Sequence, residues 1–275
     1  TSAYLRAILE AAGRTTHVHT SPHLVHWNER YRIGKTGGGE YISDADLESV
    51  INRVAEANGG KHITVFEVMS AVGFELFAKH PADFSIMEVG LGGRFDATNV
   101  LQNPAVCLIT PIGLDHQAYL GDTIEKIAFE KAGIIKEGAP VFIGEQEDAA
   151  RQVIEARAHQ LGCAVQVARQ DFDYYEQHGR FVFQDENGLL DLPLPVLFGE
   201  HQLANAALAI SACRFVLPDL ASHVYEEAMT RVVWPGRFER LKEGNLEKLF
   251  FKNETRKPDS KPEIWIDGGH NPQAG

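Results

Sequence analysis

The stretch Ile86-Met-Glu-Val-Gly-Leu-Gly-Gly-Arg-Phe-Asp96 joins an apolar run to a glycine-rich turn. The run from Phe84 to Val89 predicts a short strand buried in a sheet. Glu88 lies at its carboxyl end, and ligands of open α/β sheets bind outside those ends. The glycines that follow allow close approach of the backbone to a ligand. Two interpretations are open: a Mg²⁺ site built on oxygen ligands, or a structural turn whose carboxylate pairs with a nearby arginine.

Helices and strands alternate on both sides of this stretch. Strands are predicted at Thr15 to His19, Phe84 to Val89, Ala105 to Thr110, Pro140 to Ile143 and Ala164 to Ala168. Helices are predicted from the first residues to Gly13, then at Ser43 to Asn58, Thr64 to His80, Thr123 to Ile135, Asp148 to Leu161, His201 to Val216 and Ala221 to Val232. This alternation predicts an α/β fold with a mostly parallel sheet flanked by helices.

Three segments depart from the alternation. Residues Thr20 to Tyr41 form a long polar and aromatic loop, a length that is usually functional or disordered. Residues Phe172 to Leu192, with a turn at Glu186-Asn-Gly188, predict an antiparallel hairpin appended to the sheet. Beyond Trp234-Pro-Gly236, strands are predicted at Phe238 to Leu241, Lys248 to Phe251 and Ile264 to Asp267. We therefore divide the chain into a domain over 1–236 and the start of a second over 237–275.

Composition narrows the class of protein. The chain has 275 residues and a net charge of −12, which argues against a nucleic-acid footprint. No apolar run is long enough to span a membrane, and the first residues lack the pattern of a signal peptide. The three cysteines are widely spaced among apolar residues, which predicts buried thiols in a reducing compartment, the cytoplasm.

Further polar residues follow predicted strands or open loops. Asp115 and His116 follow a strand and are candidates for metal or phosphate contacts, although a single histidine there is more often structural. Ser21 opens the long loop, where its hydroxyl is a candidate ligand and Ser-Pro is also a common turn. Lys131 lies near the end of a helix, and the periodicity of that helix predicts a solvated surface lysine.

The second half of the chain offers candidates for nucleotide contacts. Asn205, in the first turns of a helix, can read an adenine edge or simply pack. Arg237 follows the predicted domain junction and can reach a phosphate with its fork of donors. Asp267 and His270 end another predicted strand, where they can contact ribose and phosphate. Each of these residues is a weak signal by itself.

Taken in order, these segments resemble the folylpolyglutamate synthase / dihydrofolate synthase family of the Mur ligase superfamily. The matching segments are Thr20-Ser-Pro-His-Leu24, Ile86 to Leu101, Gly113-Leu-Asp-His116, Glu130-Lys-Ala-Gly-Ile134, His201-Gln202, Asn205-Ala206, Pro235-Gly-Arg-Phe-Glu239 and Asp267-Gly-Gly-His-Asn-Pro272. They run nearly from end to end, and so many ordered matches make chance implausible.

The resemblance implies a fold and a set of roles. The fold would be the ATP-binding central domain of a Mur ligase, similar to P-loop NTPases, followed by the start of a Rossmann-like glutamate-ligase domain. Two Mg²⁺ ions would be held by Ser21 and Glu88 on one side and by His116 and Lys131, often carbamylated in this superfamily, on the other. Asn205 would face adenine, Arg237 the phosphates, and Asp267 and His270 the nucleotide. Lys131, His116 and Arg237 would be the catalytic residues.

One departure from the family concerns the phosphate loop. The family's Gly-Thr-Asn-Gly-Lys-Gly-Ser does not occur in this sequence, whereas residues 1–9 match the helix that follows it. We therefore expect a chain truncated at both ends, with that loop upstream. Whether Thr1 or Ser2 supplies a metal-binding hydroxyl stays open.

The implied activity is ATP-dependent ligation of L-glutamate to dihydropteroate, to a reduced folate, or to both, through an acyl phosphate, by a monomer without nucleic-acid or membrane partners. Phe66, Phe95 and Trp27 are candidates for an apolar pterin slot, although aromatic residues near helices are more often core. Two alternatives remain. One is another Mur-type amino-acid ligase, and the other is a non-catalytic nucleotide-binding relative without the phosphate loop.

Overall fold

The computed structural model describes residues 1–241, 244 and 263–269. The helices are α1 (Ser2–Ala11), α2 (Asp44–Asn58), α3 (Val65–Lys79), α4 (Gln117–Leu120), α5 (Ile124–Ala132), α6 (Asp148–Gln160), α7 (His201–Val216) and α8 (Ser222–Arg231). The strands are β1 (Thr16–His19), β2 (Tyr31–Ile33), β3 (Glu40–Tyr41), β4 (Phe84–Met87), β5 (Cys107–Ile109), β6 (Val141–Ile143), β7 (Val165–Val167), β8 (Phe172–Gln177), β9 (Arg180–Asp185), β10 (Gly188–Pro193), β11 (Glu239–Leu241) and β12 (Ile264–Ile266). The predicted alternation of helices and strands is confirmed.

The first sheet carries the stretch that opened the sequence. Its strand order is β3-β2-β1-β4, with β1 and β4 parallel and the other pairs antiparallel. His19 pairs with Met87, so β1 and β4 end side by side, and Ser21 and Glu88 follow at the same edge. The predicted loop from Thr20 to Tyr41 is not structureless, because it contains a 3₁₀ helix (Trp27–Arg30) and strands β2 and β3.

A second sheet, β5-β6-β7, is entirely parallel. Its strands are short and strongly apolar, as expected for a sheet covered by helices. Helices α5 and α6 pack over it around Ile127, Ile143 and Ile154, which are fully buried. The parallel pairs therefore lie in two hydrogen-bonded groups rather than in one continuous ladder.

The appended hairpin is a three-stranded antiparallel sheet, so the prediction of a simple hairpin was wrong. Strands β8, β9 and β10 pair in order, and the first turn, His178-Gly179, has positive φ at both positions. Such turns are usually marked by Asn-Gly or Asp-Gly, and a histidine in the first position concealed this one. The sheet buries Phe181 and Phe183 against α1, α7 and α8.

Helix α3 begins at a strong capping signal. Thr64 accepts a hydrogen bond from the Glu67 amide, and the Glu67 carboxylate accepts one from the Thr64 amide, so each satisfies a group that the helix leaves unpaired. Phe66 lies inside this capped first turn, and its ring is at Gly90 in the glycine turn after β4. The cap thus sets the position of a residue at the candidate site.

His17, a buried histidine on β1, lies under α3. The His17 ring accepts a hydrogen bond from the Gly34 amide at Nδ1, which leaves its Nε2 as the donor to the carbonyl of His80. It also stacks on Phe77 at 4.6 Å. Burial lowers the pKa of His17, and the two fixed partners require its neutral form.

The last described elements, β11 and β12, form an antiparallel pair. They confirm the strands predicted at Phe238 to Leu241 and Ile264 to Asp267 to within a residue. The strand predicted at Lys248 to Phe251 lies outside the described residues. The domain boundary at 236 stays a prediction, as does the Rossmann-like character of the second domain. Across the part of the chain that the structure describes, no helix has both the length and the apolarity to cross a membrane.

Candidate active site

Glu88 is the centre of the contacts at the end of β4. Its amide donates to the His19 carbonyl, which continues the ladder with β1 past the last paired residues. Its carboxylate accepts hydrogen bonds from the Ser2 hydroxyl, at 3.1 Å, and from the backbone of Ser21. Burial raises the pKa of Glu88, whereas these hydrogen bonds and the nearby Arg237 act in the opposite direction. The predicted site residue Ser21 is therefore at this carboxylate, and Arg237 is near enough to act on its charge.

Two details of this group have no local signal in the sequence. The Ser2 hydroxyl, one of two candidates for a metal ligand, donates to Glu88. Ser21 contacts Glu88 through its backbone, at a cis peptide bond to Pro22. The alternative of a turn whose carboxylate pairs with an arginine lacks its ion pair among the described residues, where Arg237 acts on Glu88 only at longer range.

Asp96 holds the glycine turn after Glu88 in shape. One of its carboxylate oxygens accepts from the amides of Gly90 and Leu91, and the other from the amide and hydroxyl of Thr98. The glycines then allow two close approaches. A side chain at Gly90 would collide with the Phe66 ring, and one at Gly93 would come within 2.9 Å of the Glu130 carbonyl. The turn therefore connects the end of β4 to helix α5.

Helix α5 brings Lys131 to the second group of predicted site residues. Burial lowers the pKa of the Lys131 amine, against the effect of the Asp115 carboxylate nearby. This environment differs from the solvated surface that periodicity favoured for Lys131. His116 lies 3.7 Å from Asp115 between ring nitrogen and carboxylate oxygen, and is about half exposed. It adopts a left-handed backbone, with φ of 50°, before the short helix α4. Asp115, His116 and Lys131 thus form a second group.

The two groups lie at opposite ends of the glycine turn. Within the described ranges there is no set of three or more His, Cys, Asp or Glu side chains that could hold a metal by themselves. Mg²⁺ commonly binds through one or two carboxylates and completes its shell with water and phosphate oxygens. A single carboxylate beside serine donors, at a strand end, fits such a shared site and does not fit a cage built from protein ligands alone.

The predicted nucleotide contacts fall on two separate elements. On α7, the Asn205 side-chain oxygen accepts from the Thr1 hydroxyl at 2.8 Å. At the end of β12, Asp267 accepts from the amides of Phe238 and Gly269, so it organises the backbone beside Arg237. A carboxylate has about four acceptor positions, and Asp267 therefore retains capacity for a ligand. His270 lies outside the described residues.

The three aromatic candidates for an apolar slot have different surroundings. Phe66 is partly buried and packs on Gly90. Phe95 is 81% exposed, with the Arg94 guanidinium 4.5 Å from its ring centre. Trp27 packs beside His23, with ring centres 4.3 Å apart. None of the three is a buried core residue, and Phe66 lies next to the turn that follows Glu88.

Comparison with known families gives a match over most of the chain. The family model described as the Mur ligase middle domain matches residues 11–213. Among curated relatives, the dihydrofolate synthase/folylpolyglutamate synthase of Bacillus subtilis (strain 168) is 34% identical, with 98% of this chain and 62% of that protein covered. The chain therefore spans about three fifths of that relative's length.

Solved structures agree with this assignment. The structure described as E. coli FolC in complex with DHPP and ADP has a TM-score of 0.84 and 31% identity, over 99% of this chain and 59% of that one. A bifunctional folylpolyglutamate synthase/dihydrofolate synthase with Mn, AMPPNP and L-glutamate bound has a TM-score of 0.82 and 32% identity, over 99% and 60%. The expected α/β architecture is thereby confirmed. The chain belongs to the Mur ligase middle domain family, on the branch of the dihydrofolate and folylpolyglutamate synthases.

Proposed function

We propose that the complete protein joins L-glutamate to the carboxylate of dihydropteroate, of a reduced folate, or of both, at the expense of ATP. The observation that carries this proposal is the Glu88 carboxylate at the shared end of β1 and β4, in contact with Ser2 and Ser21 and near Arg237. The relatives and their bound molecules support the same reaction.

The reaction needs an activated carboxylate, because an amine does not displace an oxide from a bare carboxylate at a useful rate. A carboxylate oxygen attacks the γ-phosphorus of ATP, and ADP leaves. The amine of glutamate then attacks the acyl carbon, and inorganic phosphate leaves with the acyl-bound oxygen while the amine loses a proton. The protein contributes mainly positioning and charge neutralisation.

We assign Ser21 and Glu88 to one Mg²⁺ and His116 and Lys131 to a second. When bound, such ions neutralise the charge of the phosphates and the carboxylate that approaches them. The hydrogen bonds from Ser2 and Ser21 orient the Glu88 oxygens toward the edge of the sheet. Arg237 is assigned to the phosphates, Asn205 to adenine, and Asp267 and His270 to the nucleotide from the second domain.

Lys131 is assigned a carbamate. Its amine would react with CO₂ to give a carbamate and release one proton, which converts a cation into a carboxylate-like ligand. The reaction needs the neutral amine, and burial lowers the pKa of Lys131 in that direction. A labelled carbamate carbon, seen by NMR after incubation with ¹³C-bicarbonate and absent from Lys131→Ala, would support the assignment. No such signal at alkaline pH would refute it.

The central experiment measures ADP release with dihydropteroate or tetrahydrofolate plus glutamate. Glu88→Gln keeps the side-chain shape but removes the charge, and we expect it to abolish turnover while the thermal transition stays near that of the wild type. Glu75→Gln, on α3, is the matched control and should retain activity, since among the described residues Glu75 pairs with Arg53 and Lys79 and with no residue of the site.

The outcomes separate the alternatives. Activity only with a cell-wall peptide precursor would identify another Mur-type ligase. ADP binding without release of phosphate or product would identify a non-catalytic relative. Wild-type turnover by Glu88→Gln would refute the role of Glu88 and leave the reaction itself standing.

We further propose a monomeric cytoplasmic protein that acts on small molecules and not on nucleic acid or membranes. The net charge of −12 supports the exclusion of nucleic acid, and the three buried free thiols fit a reducing compartment. Size-exclusion chromatography with light scattering tests the monomer. The domain division at 236/237 is part of the same proposal, and limited proteolysis near that junction tests it.

A further inference from the structure

Arg6, on α1, is a partly buried guanidinium that forms no ion pair within the part of the chain that the structure describes. Its Nη2 donates to the Val233 carbonyl at 2.9 Å. Its Nε is buried and has no hydrogen-bond partner among the described residues. Burial lowers the pKa of Arg6, and the nearby charge of Arg32 acts in the same direction. A charge taken out of water is normally paired, and one bond to a carbonyl leaves most donors of Arg6 for another group.

Glu10, the carboxylate one turn further along α1, is committed to the other arginine. It lies on the same face of the helix as Arg6. Its Oε1 accepts from Nε and Nη2 of Arg32, each at 3.1 Å, and from the Gly39 amide at 3.2 Å. Glu10 also acts on the charge of Arg6, without forming an ion pair with it. Two guanidiniums therefore share one carboxylate, which leaves one unbalanced positive charge in a protein whose net charge is −12.

A glycine loop and a tyrosine hydroxyl border these two arginines, which we call the arginine pair. Gly37-Gly-Gly39 lies in the loop between β2 and β3. A Cβ at Gly39 would lie 3.0 Å from the Arg32 Nε, so the glycines place bare backbone against this guanidinium. Tyr41, on β3, is 48% exposed, and its hydroxyl is near enough to act on the charge of Arg6. The arginine pair therefore lies beside a further side-chain donor that solvent reaches.

The donors at this place suit an oxyanion. A guanidinium presents its N–H groups as a planar fork that matches the oxygens of a carboxylate or a phosphate. A phenol hydroxyl can donate to the same group. A neutral ligand would leave the charge of Arg6 uncompensated, and a cation would be repelled by it. The overall negative charge opposes anions at long range, so their binding must come from short-range contacts with these donors.

We propose that the arginine pair, together with the hydroxyl of Tyr41, is a binding site for an oxyanion, either a phosphate or a carboxylate. Arg6 is the main contact and Arg32 the second. Glu10 lowers the affinity of the site, because it competes with the ligand for both guanidiniums. None of these residues is assigned to the metal ions or the nucleotide, and the inference does not depend on the proposed function.

Titration calorimetry on the complete protein, in EDTA and at constant ionic strength, measures this binding with inorganic phosphate and with glutarate. EDTA removes the metal ions on which phosphate binding at the proposed active site depends. Charge-assisted hydrogen bonds are the strong ones, so we expect Arg6→Gln to weaken binding at least about tenfold. Arg151→Gln is the matched control, because it removes the same charge from an arginine that already pairs with Asp148 and Glu155.

Two further substitutions separate an oxyanion site from a purely structural role of Arg6. Glu10→Gln removes the competing charge, while its amide oxygen can still accept from Gly39, so binding should become tighter. Arg32→Gln keeps the bond from Arg6 to Val233 and releases Glu10 to pair with Arg6, so binding should become weaker. A role limited to holding the Val233 carbonyl predicts no change of affinity in either variant. These opposite shifts decide the proposal even where Arg6→Gln fails to fold.

The two ligands and one more variant identify what binds and where. A preference for phosphate or for glutarate shows which oxyanion the site takes, and either preference supports the proposal when the variants shift affinity as expected. Binding that persists in Arg237→Gln also supports it, whereas loss of binding there would place the anion at the predicted phosphate contact and overturn it. No binding to the wild type at millimolar ligand, or equal affinity in the wild type, Arg6→Gln and Glu10→Gln, would also overturn it.

Discussion

The carboxylate of Asp96 is predicted to hold the glycine turn through four hydrogen bonds. Asp96→Asn keeps the shape of the side chain but replaces one acceptor oxygen by a donor NH₂. With its nitrogen toward Gly90 and Leu91, the amide leaves both of their N–H groups without an acceptor. With its nitrogen toward Thr98, it leaves only the Thr98 N–H without one, because the Thr98 hydroxyl can rotate and accept from the new NH₂ group. We expect the second orientation.

The expected loss of stability follows from this count. A hydrogen bond to a charged acceptor contributes ~1.5–3 kcal/mol, and the lower value applies because Asp96 is only partly buried. One lost bond therefore costs about 1.5 kcal/mol, and a shift of ~2–4 °C per kcal/mol lowers Tm by about 3 to 6 °C. Since the turn begins two residues after Glu88, we also expect a higher Mg²⁺ requirement for ADP release.

Scanning calorimetry and a Mg²⁺ titration of ADP release measure the two effects. Asp83→Asn is the control at the opposite end of β4, where Asp83 accepts from the amide and hydroxyl of Thr15. It should lower the thermal transition without altering the Mg²⁺ response. An Asp96→Asn variant that melts with the wild type and keeps its Mg²⁺ requirement would show that the carboxylate does not hold the turn.

The other predictions concern β1, the Phe66 contact and the cap of α3. The pKa of His17 is lower in the folded protein than in the unfolded chain. The stabilisation from neutral His17 is therefore present above about pH 6.5 and is lost as the pH falls toward the folded pKa. Denaturant unfolding at several pH values should show this loss of unfolding free energy, and His17→Phe should reduce it. Gly90→Ala drives a methyl group into the Phe66 ring and should raise KM for the pterin substrate, and adding Phe66→Leu should partly restore it. Thr64→Ala removes the capping box and should lower the unfolding free energy by about 1 kcal/mol in denaturant titrations.

Periodicity and turn residues were sufficient for most of the fold. The helices begin and end close to the predicted residues because their limits are local signals, such as Thr64 before α3 and Gly59 after α2. The errors occurred where a local signal was unusual. His178 begins a turn that normally carries Asn or Asp, and β2 and β3 are too short to show an alternating pattern.

The candidate site also contains some residues that the sequence could place and others that it could not. Glu88 and Ser21 could be predicted together, because parallel strands end at one edge and both residues follow such an end. The contact between Ser2 and Glu88 joins positions 86 apart in the chain, and the Trp265 ring packs on Phe198 and Phe238 from two other segments. Contacts of this kind depend on how helices and strands pack, which no local pattern encodes. Lys131 is the intermediate case, since its periodicity indicated a solvated side chain and the packing of α5 buries that side chain in part.

The glycine turn explains how a site can be shared between a sheet and a helix. Its first residues extend the strand that carries Glu88, its middle is held by Asp96, and Gly93 packs on the last turn of α5 beside Lys131. A side chain at Gly93 would press on the Glu130 and Lys131 carbonyls, and its φ of 156° would add strain. Any larger residue there would therefore move α5 away from β4. Because the two proposed metal-binding groups lie at the two ends of this one turn, its shape sets the distance between them, which explains why the glycines and the aspartate occur together in one stretch.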